Sequence, residues 1–88
     1  MSTIAETAMK PPVHAAVAQA AAQVLGLDHA DMNRNFFDLG GSSLSVALLT
    51  EQLENVLGVQ CPMQLLYEHP LLADFAEAVQ ALVRSEAR

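Results

Sequence analysis

The sequence contains a single cysteine, Cys61, and it lacks any long uninterrupted apolar segment. One cysteine cannot form a disulfide within the chain, and a reducing compartment is the simpler interpretation. No segment approaches the roughly 20 apolar residues that a membrane-spanning helix requires. The first residues lack a basic region followed by an apolar core, so they are not predicted to be a signal peptide. We therefore expect a cytoplasmic protein without a membrane-inserted segment.

Basic residues are also scarce, because four lysines and arginines stand against ten aspartates and glutamates, for a formal net charge of −6. Binding to nucleic acid requires a basic surface, so a nucleic-acid partner is not expected. An acidic surface suits docking to basic protein surfaces instead. The three histidines and one cysteine show neither His-x-x-x-His nor Cys-x-x-Cys spacing, so no metal site is predicted.

Hydrophobic residues make up 52% of the 88 residues, although the chain has only three phenylalanines, one tyrosine and no tryptophan. This composition is too apolar for a disordered chain, and its many alanines favour helices over sheets. The length fits one small domain. We divide the chain into a flexible tail at residues 1–10, a domain at residues 11–84 and a C-terminal tail at residues 85–88.

Hydrophobic periodicity predicts three longer helices and one short helix, and glycines follow the first two of them. The predicted ranges are Val13–Leu25, Ser43–Leu57, residues 63–67 and residues 71–84. Residues 27–42 lack a sustained period and are predicted to form a long loop, which buried Phe36 and Phe37 anchor. The predicted fold class is all-α, a small four-helix bundle with this long loop between its first two helices.

The most distinctive stretch is residues 36–45, which read Phe-Phe-Asp-Leu-Gly-Gly-Ser-Ser-Leu-Ser. Two glycines permit a sharp turn, and serine directly before a helical segment is a strong start signal. Ser42 or Ser43 could simply cap the helix; alternatively, Ser43 carries a phosphodiester, which the N–H groups and dipole of a helix N-terminus favour. A catalytic nucleophile is not expected. Ser45 stands where the Gly-x-Ser-x-Gly motif needs glycine, and no histidine has an evident acidic partner.

The second predicted helix is apolar on more than one side. Its inward face is predicted to consist of Val46, Leu49, Leu53, Val56 and Leu57. Leu44 and Leu48 fall on the outer side, with Ala47 beside them and close to Ser43. Because grouped exposed apolar residues mark contact surfaces, we predict a docking face there. Met63 and Leu66 of the short helix are included in it, with core packing as an equal alternative for these two.

Residues 36–44 resemble the core motif of peptidyl carrier proteins, the thiolation domains of nonribosomal peptide synthesis within the acyl-carrier-protein-like superfamily. In that family a variable residue precedes the modified serine and a leucine follows it, so the corresponding residue is Ser43 and not Ser42. The family's later pattern is also present in order, as Leu57-Gly58-Val59, Pro62 and Leu66-Tyr67-Glu68-His69-Pro70. The chain departs from the pattern at Ser42 (commonly His or Asp), Leu48 (commonly Arg or another polar residue) and Leu71 (frequently Thr).

The resemblance implies a carrier that is not an enzyme, and we expect this carrier to be a monomer. A phosphopantetheinyl transferase would attach 4′-phosphopantetheine from coenzyme A to Ser43, and the arm's thiol would hold an amino acid or acyl group as a thioester. Further implied partners are an adenylating enzyme or domain and condensation, tailoring or thioesterase enzymes. Because the chain opens with Met1 and ends shortly after the last helix, we expect a free-standing carrier.

The sequence leaves three alternatives to a peptidyl carrier open. One is an acyl carrier protein of polyketide or fatty-acid type, although Gly-Gly-Ser-Ser-Leu favours the peptidyl type. The others are an unmodified helical interaction module, in which Ser43 is only a cap, and a small hydrolase.

Overall fold

The computed structural model describes residues 12–86, and within this range four helices follow one another along the chain. They are α1 (Val13–Leu25), α2 (Ser43–Leu57), α3 (Met63–Glu68) and α4 (Leu72–Glu86). The predicted all-α bundle, with its long loop before α2, is confirmed. No helix in the described range is long and apolar enough to cross a membrane.

The predicted ends of the two later helices are displaced by one or two residues. α3 extends one residue further, to Glu68, and α4 begins at Leu72 and continues to Glu86. Ser85 therefore belongs to α4 and not to the predicted C-terminal tail. The predicted N-terminal tail, residues 1–10, lies outside the described residues.

α1 and α2 both end at a glycine in the left-handed conformation. At Gly26, φ is 70°, and the N–H groups of Gly26 and Leu27 donate to the carbonyls of Gln23 and Ala22 at 3.3 and 2.8 Å. At Gly58, φ is 73° and the N–H donates to the carbonyl of Glu54 at 2.8 Å. These hydrogen bonds satisfy carbonyls that a helix end leaves without partners, so both predicted ends are confirmed.

The core lies where α1, α2 and α4 pack together, with contributions from the loop and α3. Burying one large apolar side chain contributes about 1.5–3 kcal/mol, so the buried apolar side chains of this core dominate the stability of the fold. Its largest fully buried members are Phe36, Phe75, Leu49, Leu53, Leu66, Leu72, Val17, Val46 and Val79.

The prediction that Val56 faces the core is wrong, because its side chain is 47% exposed. Val56 lies at the edge of the apolar stripe of α2, beside an open groove that also contacts Ala16 and Ala20 of α1. These short side chains do not reach far enough to cover it. The same stripe is buried at Val46, Leu49 and Leu53, as predicted.

The loop between α1 and α2 is tied to the segment that begins α4. Asn35 and Leu71 form an isolated antiparallel bridge. Three backbone hydrogen bonds surround it: Phe36 N–H to Pro70 C=O at 2.8 Å, Leu72 N–H to Arg34 C=O at 3.1 Å and Ala73 N–H to Met32 C=O at 2.8 Å. These hydrogen bonds replace those that the backbone groups would otherwise make with water, and they hold Phe36 in the core.

Candidate functional site

The turn that leads into α2 is built around the fully buried side chain of Phe36. The carbonyl of Phe36 accepts hydrogen bonds from the N–H groups of Leu39 and Gly41, at 3.2 and 3.1 Å. Gly40 has a φ of 106°, a conformation that favours glycine. Gly41 is needed for a different reason. A Cβ atom there would lie 2.5 Å from Phe36 Cδ2 and 2.9 Å from the Phe36 carbonyl oxygen.

Ser42 is the N-cap of α2. Its backbone is extended, and its Oγ accepts a hydrogen bond from the N–H of Ser45 at 3.4 Å. The carbonyl of Ser42 accepts from the N–H of Val46 at 2.9 Å, which closes the first turn. The capping role that the sequence left open between two serines therefore belongs to Ser42.

Ser43 is the first residue of α2, and its side chain is exposed. Its hydroxyl is not needed as a cap, because Ser42 fills that role. The N-terminus of this 15-residue helix presents N–H groups and a positive dipole end, and its first turn has no acidic residue. The position therefore combines an accessible oxygen with surroundings that favour a negatively charged substituent.

Tyr67 of α3 approaches the candidate serine from the side. Its hydroxyl donates a hydrogen bond to Ser43 Oγ at 3.3 Å. The Tyr67 ring stacks on Phe37 with centroids 5.6 Å apart, and Phe37 makes an edge contact with buried Phe36 at 5.6 Å. Sequence reasoning did not identify Tyr67 as part of the site. It lies 24 residues from Ser43, and no local spacing signals that contact.

The apolar residues of the predicted docking face differ in their exposure. Leu44 is 70% exposed, Leu48 45% and Met63 47%, whereas Ala47 is partly buried. Leu66 is fully buried, so its inclusion in the docking face is wrong. α3 has only six residues, and Leu66 is the buried one among them, while Leu65 packs partly buried against the core.

Cys61 is buried, as predicted for a small hydrophobic side chain. Burial, together with the negative charge of Glu54, raises the pKa of its thiol from 9.0 to about 11. The Cys61 N–H donates to Glu54 Oε2 at 2.8 Å, which holds that carboxylate nearby. The thiol is therefore protonated at neutral pH and poorly suited to nucleophilic chemistry.

The expectation that no histidine has an acidic partner is wrong. Nε2 of His14 on α1 lies 3.1 Å from Oε2 of Glu77 on α4, and both side chains are exposed. Neither of them hydrogen-bonds to Ser43, whose side-chain partner is Tyr67. The pair connects two helices and does not supply Ser43 with a base.

Comparison with known proteins agrees with the geometry. The family model described as "Phosphopantetheine attachment site" matches residues 15–79, a range that contains Ser43. The chain is 31% identical over 86 residues to part of a linear gramicidin synthase of Brevibacillus parabrevis. That alignment covers 98% of this chain but 2% of the relative, which is therefore far longer.

Solved structures show the same fold. A nonribosomal peptidyl carrier protein domain superposes with a TM-score of 0.69 at 31% identity, covering 76% of this chain and 86% of that one. A chain from a complex of the phosphopantetheine transferase Sfp with coenzyme A and a peptidyl carrier protein has a TM-score of 0.73 at 25% identity. There the coverage is 81% of this chain and 92% of the other.

The resemblance of residues 36–44 to carrier proteins is thus confirmed over most of the chain. The cofactor predicted from it, covalently attached 4′-phosphopantetheine, is confirmed as well. The chain belongs to the phosphopantetheine attachment site family.

Proposed function

We propose that the protein is a peptidyl carrier that holds an amino acid or another acyl group as a thioester on an arm attached to Ser43 Oγ. The observation that carries this proposal is the exposed Ser43 side chain at the start of α2, with the neighbouring Ser42 acting as the helix cap. When attached, 4′-phosphopantetheine supplies a terminal thiol on a long flexible arm. Cys61 does not compete for this role, since it is buried and protonated.

The residues around Ser43 fit a phosphodiester. Its negative charge would lie at the N-terminus of α2, where the helix dipole and N–H groups stabilise anions. During attachment, Ser43 Oγ forms a bond to phosphorus while the phosphoanhydride bond of coenzyme A breaks and adenosine 3′,5′-bisphosphate leaves. The serine proton passes to a base of the transferase. Within the described range Ser43 Oγ has a hydrogen-bond partner in Tyr67, a donor, and none that serves as a base.

The proposed docking face consists of Leu44, Ala47, Leu48 and Met63. Three of these side chains are well exposed, and Leu44 directly follows the attachment residue. A small apolar patch on an acidic protein suits brief, reversible contacts in which partners are steered by charge. The partners proposed for it are the transferase, an adenylating enzyme or domain, and condensation, tailoring or thioesterase enzymes.

The peptidyl type is preferred over a polyketide or fatty-acid type because part of a gramicidin synthase is 31% identical to this chain over 86 residues. We further propose that the domain catalyses no reaction itself, since the described residues provide Ser43 with no general base. A cytoplasmic location, a monomeric state and a free-standing chain remain predictions. Gel filtration with light scattering tests the monomeric state.

The attachment is tested by incubating the protein with coenzyme A and a broad-specificity phosphopantetheinyl transferase and then measuring the intact mass. We expect a gain of one phosphopantetheine unit in the wild type and in Ser42→Ala, and no gain in Ser43→Ala. Ser42→Ala is the matched control, because it removes the adjacent hydroxyl. A folded Ser43→Ala protein that still gains the mass, or a wild type that never does, would refute the proposal.

The docking face is tested with Leu48→Arg, using Val56→Arg as the control. Both residues lie on α2 with nearly equal exposure, 45% and 47%, but Val56 is eight residues further from Ser43. Truncating a residue that contributes strongly to an interface costs more than about 1 kcal/mol, and a loss of about 1–2 kcal/mol corresponds to a roughly 5- to 30-fold weaker affinity. We expect Leu48→Arg to raise the KM of an adenylating partner in this range and Val56→Arg to leave it unchanged. Equal effects of the two variants would remove the proposed face.

A further inference from the structure

We propose that Tyr67 is a second binding residue for the attached group. Its hydroxyl, which donates to Ser43 Oγ at 3.3 Å before modification, donates to a non-bridging oxygen of the phosphodiester afterwards. This inference rests on the proposed attachment at Ser43. It assigns a role in holding the root of the arm to α3, whereas the attachment motif itself lies at the start of α2.

Packing of aromatic rings against the core fixes the position of the Tyr67 hydroxyl. The ring stacks on Phe37 with planes 18° apart, and Phe37 contacts the fully buried ring of Phe36 edge-on. The N–H of Phe37 is held in turn by Asn35 Oδ1 at 2.8 Å. Tyr67 is nevertheless 48% exposed, and its hydrogen bond to Ser43 lies at the surface, where an added group can be accommodated. A ring held by stacking and a hydroxyl at the surface allow Tyr67 to bind a group attached to Ser43.

The chemistry of modification changes which acceptor this hydroxyl prefers. Before attachment, Ser43 Oγ is a hydroxyl oxygen, a good acceptor that also carries a proton. After attachment it is a bridging ester oxygen without a proton, and the negative charge resides on the two non-bridging oxygens of the adjacent phosphorus. Hydrogen bonds to charged acceptors are shorter and about twice as strong as neutral ones. The non-bridging oxygens are two bonds from Oγ, so the hydroxyl changes acceptor with little movement of the ring.

As a consequence, the phosphodiester end of the arm is held in place, whereas the rest of the arm is free to move. The phosphodiester would lie between the N–H groups of α2 and the hydroxyl of Tyr67, which come from two different helices. No covalent bond forms or breaks in this exchange. Tyr67 is therefore a binding and positioning residue and does not take part in the transfer reaction.

The test compares the modified wild type with modified Tyr67→Phe and Gln64→Ala by phosphorus NMR. Tyr67→Phe removes one hydroxyl and keeps the ring that stacks on Phe37. Gln64→Ala is the matched control, because it removes an exposed side-chain hydrogen bond of the same helix, between Gln64 and Glu68, without touching Ser43. We expect the phosphodiester resonance of Tyr67→Phe to move by more than its linewidth from that of the wild type, and that of Gln64→Ala to coincide with the wild type.

The possible failures are distinguishable from one another. A wild type that does not gain the phosphopantetheine mass refutes the attachment itself. A modified wild type and a modified Tyr67→Phe with coincident phosphorus resonances refute the role of Tyr67 alone. If Tyr67→Phe does not fold, a nuclear Overhauser measurement on the modified wild type tests the role of Tyr67 instead. The decisive signals are nuclear Overhauser contacts from tyrosine ring protons to the methylene of the arm that adjoins the phosphate, not to the Cβ methylene of Ser43. Because the chain has one tyrosine, these contacts can arise only from Tyr67. Their presence supports the inference and their absence overturns it.

Discussion

Replacing Gly41 with alanine tests how closely the turn before α2 packs on the core. The added Cβ would lie 2.5 Å from Phe36 Cδ2 and 2.9 Å from the Phe36 carbonyl oxygen, whereas non-bonded carbon atoms prefer about 3.5–4.0 Å. The Phe36 ring is fully buried and cannot withdraw without displacing its neighbours. Inserting a group into a packed core typically costs about 1–3 kcal/mol. We expect a loss in the upper half of that range, because one obstacle is backbone.

The assay is thermal unfolding followed by circular dichroism. A domain of this size loses about 4–8 °C in Tm for each kcal/mol, so a loss of about 2–3 kcal/mol lowers Tm by roughly 8–24 °C. Gly58→Ala is the control, since Gly58 has a φ of 73° with nothing within 4 Å of the added Cβ. Its cost arises from the backbone conformation alone, about 1–2 kcal/mol.

The two glycines also respond differently to asparagine, which tolerates the left-handed conformation better than alanine does. Gly58→Asn should be more stable than Gly58→Ala, whereas Gly41→Asn should be no more stable than Gly41→Ala. A Gly41→Ala protein with the Tm of the wild type would refute the close approach to Phe36. Recovery by asparagine at residue 41 would assign the loss to backbone conformation instead of to crowding.

Two further predictions concern stability. Ser42→Ala removes the cap of α2 and should lower the free energy of unfolding, measured by urea denaturation, by about 0.5–2 kcal/mol. Ser43→Ala should change this free energy by less than about 0.5 kcal/mol. Equal losses in the two variants would contradict the assignment of the cap to Ser42. The Cys61 thiol has a pKa raised from 9.0 to about 11 in the folded protein, so between these values the unfolded chain ionises first and stability should fall as pH rises. Urea midpoints measured across this range should fall more steeply for the wild type than for Cys61→Ala, and parallel slopes would refute the shift.

The helix boundaries show how far local signals reach. The ends of α1 and α2 were predicted to the residue, because Gly26 and Gly58 supply the left-handed conformation that terminates a helix. The predicted end of α4 lies two residues before the observed end at Glu86. Arg84 and Ser85 are compatible with a helix, and no glycine or proline follows them, so the sequence contains no stop signal there.

Side-chain burial is predicted correctly in the middle of α2 and wrongly at Val56, near the end of α2, and at Leu66 of α3. Val56 and Leu66 are both apolar and occur at helical spacing, yet one is half exposed and the other fully buried. Their own helices do not determine this difference. Small alanines of α1 leave Val56 uncovered, whereas Leu66 is the residue with which the short α3 fills the core.

Interactions between residues close in the sequence were sufficient to predict the helices, the long loop and the importance of the serine that precedes Leu44. Glycine conformations, helix caps and apolar periods act over a few residues and can be recognised without coordinates. Only the packed chain assigned the cap to Ser42, left Ser43 accessible and brought the hydroxyl of Tyr67 to within 3.3 Å of it. That contact joins residues 24 positions apart through stacked aromatic rings, and such long-range packing depends on the whole core instead of on any local pattern.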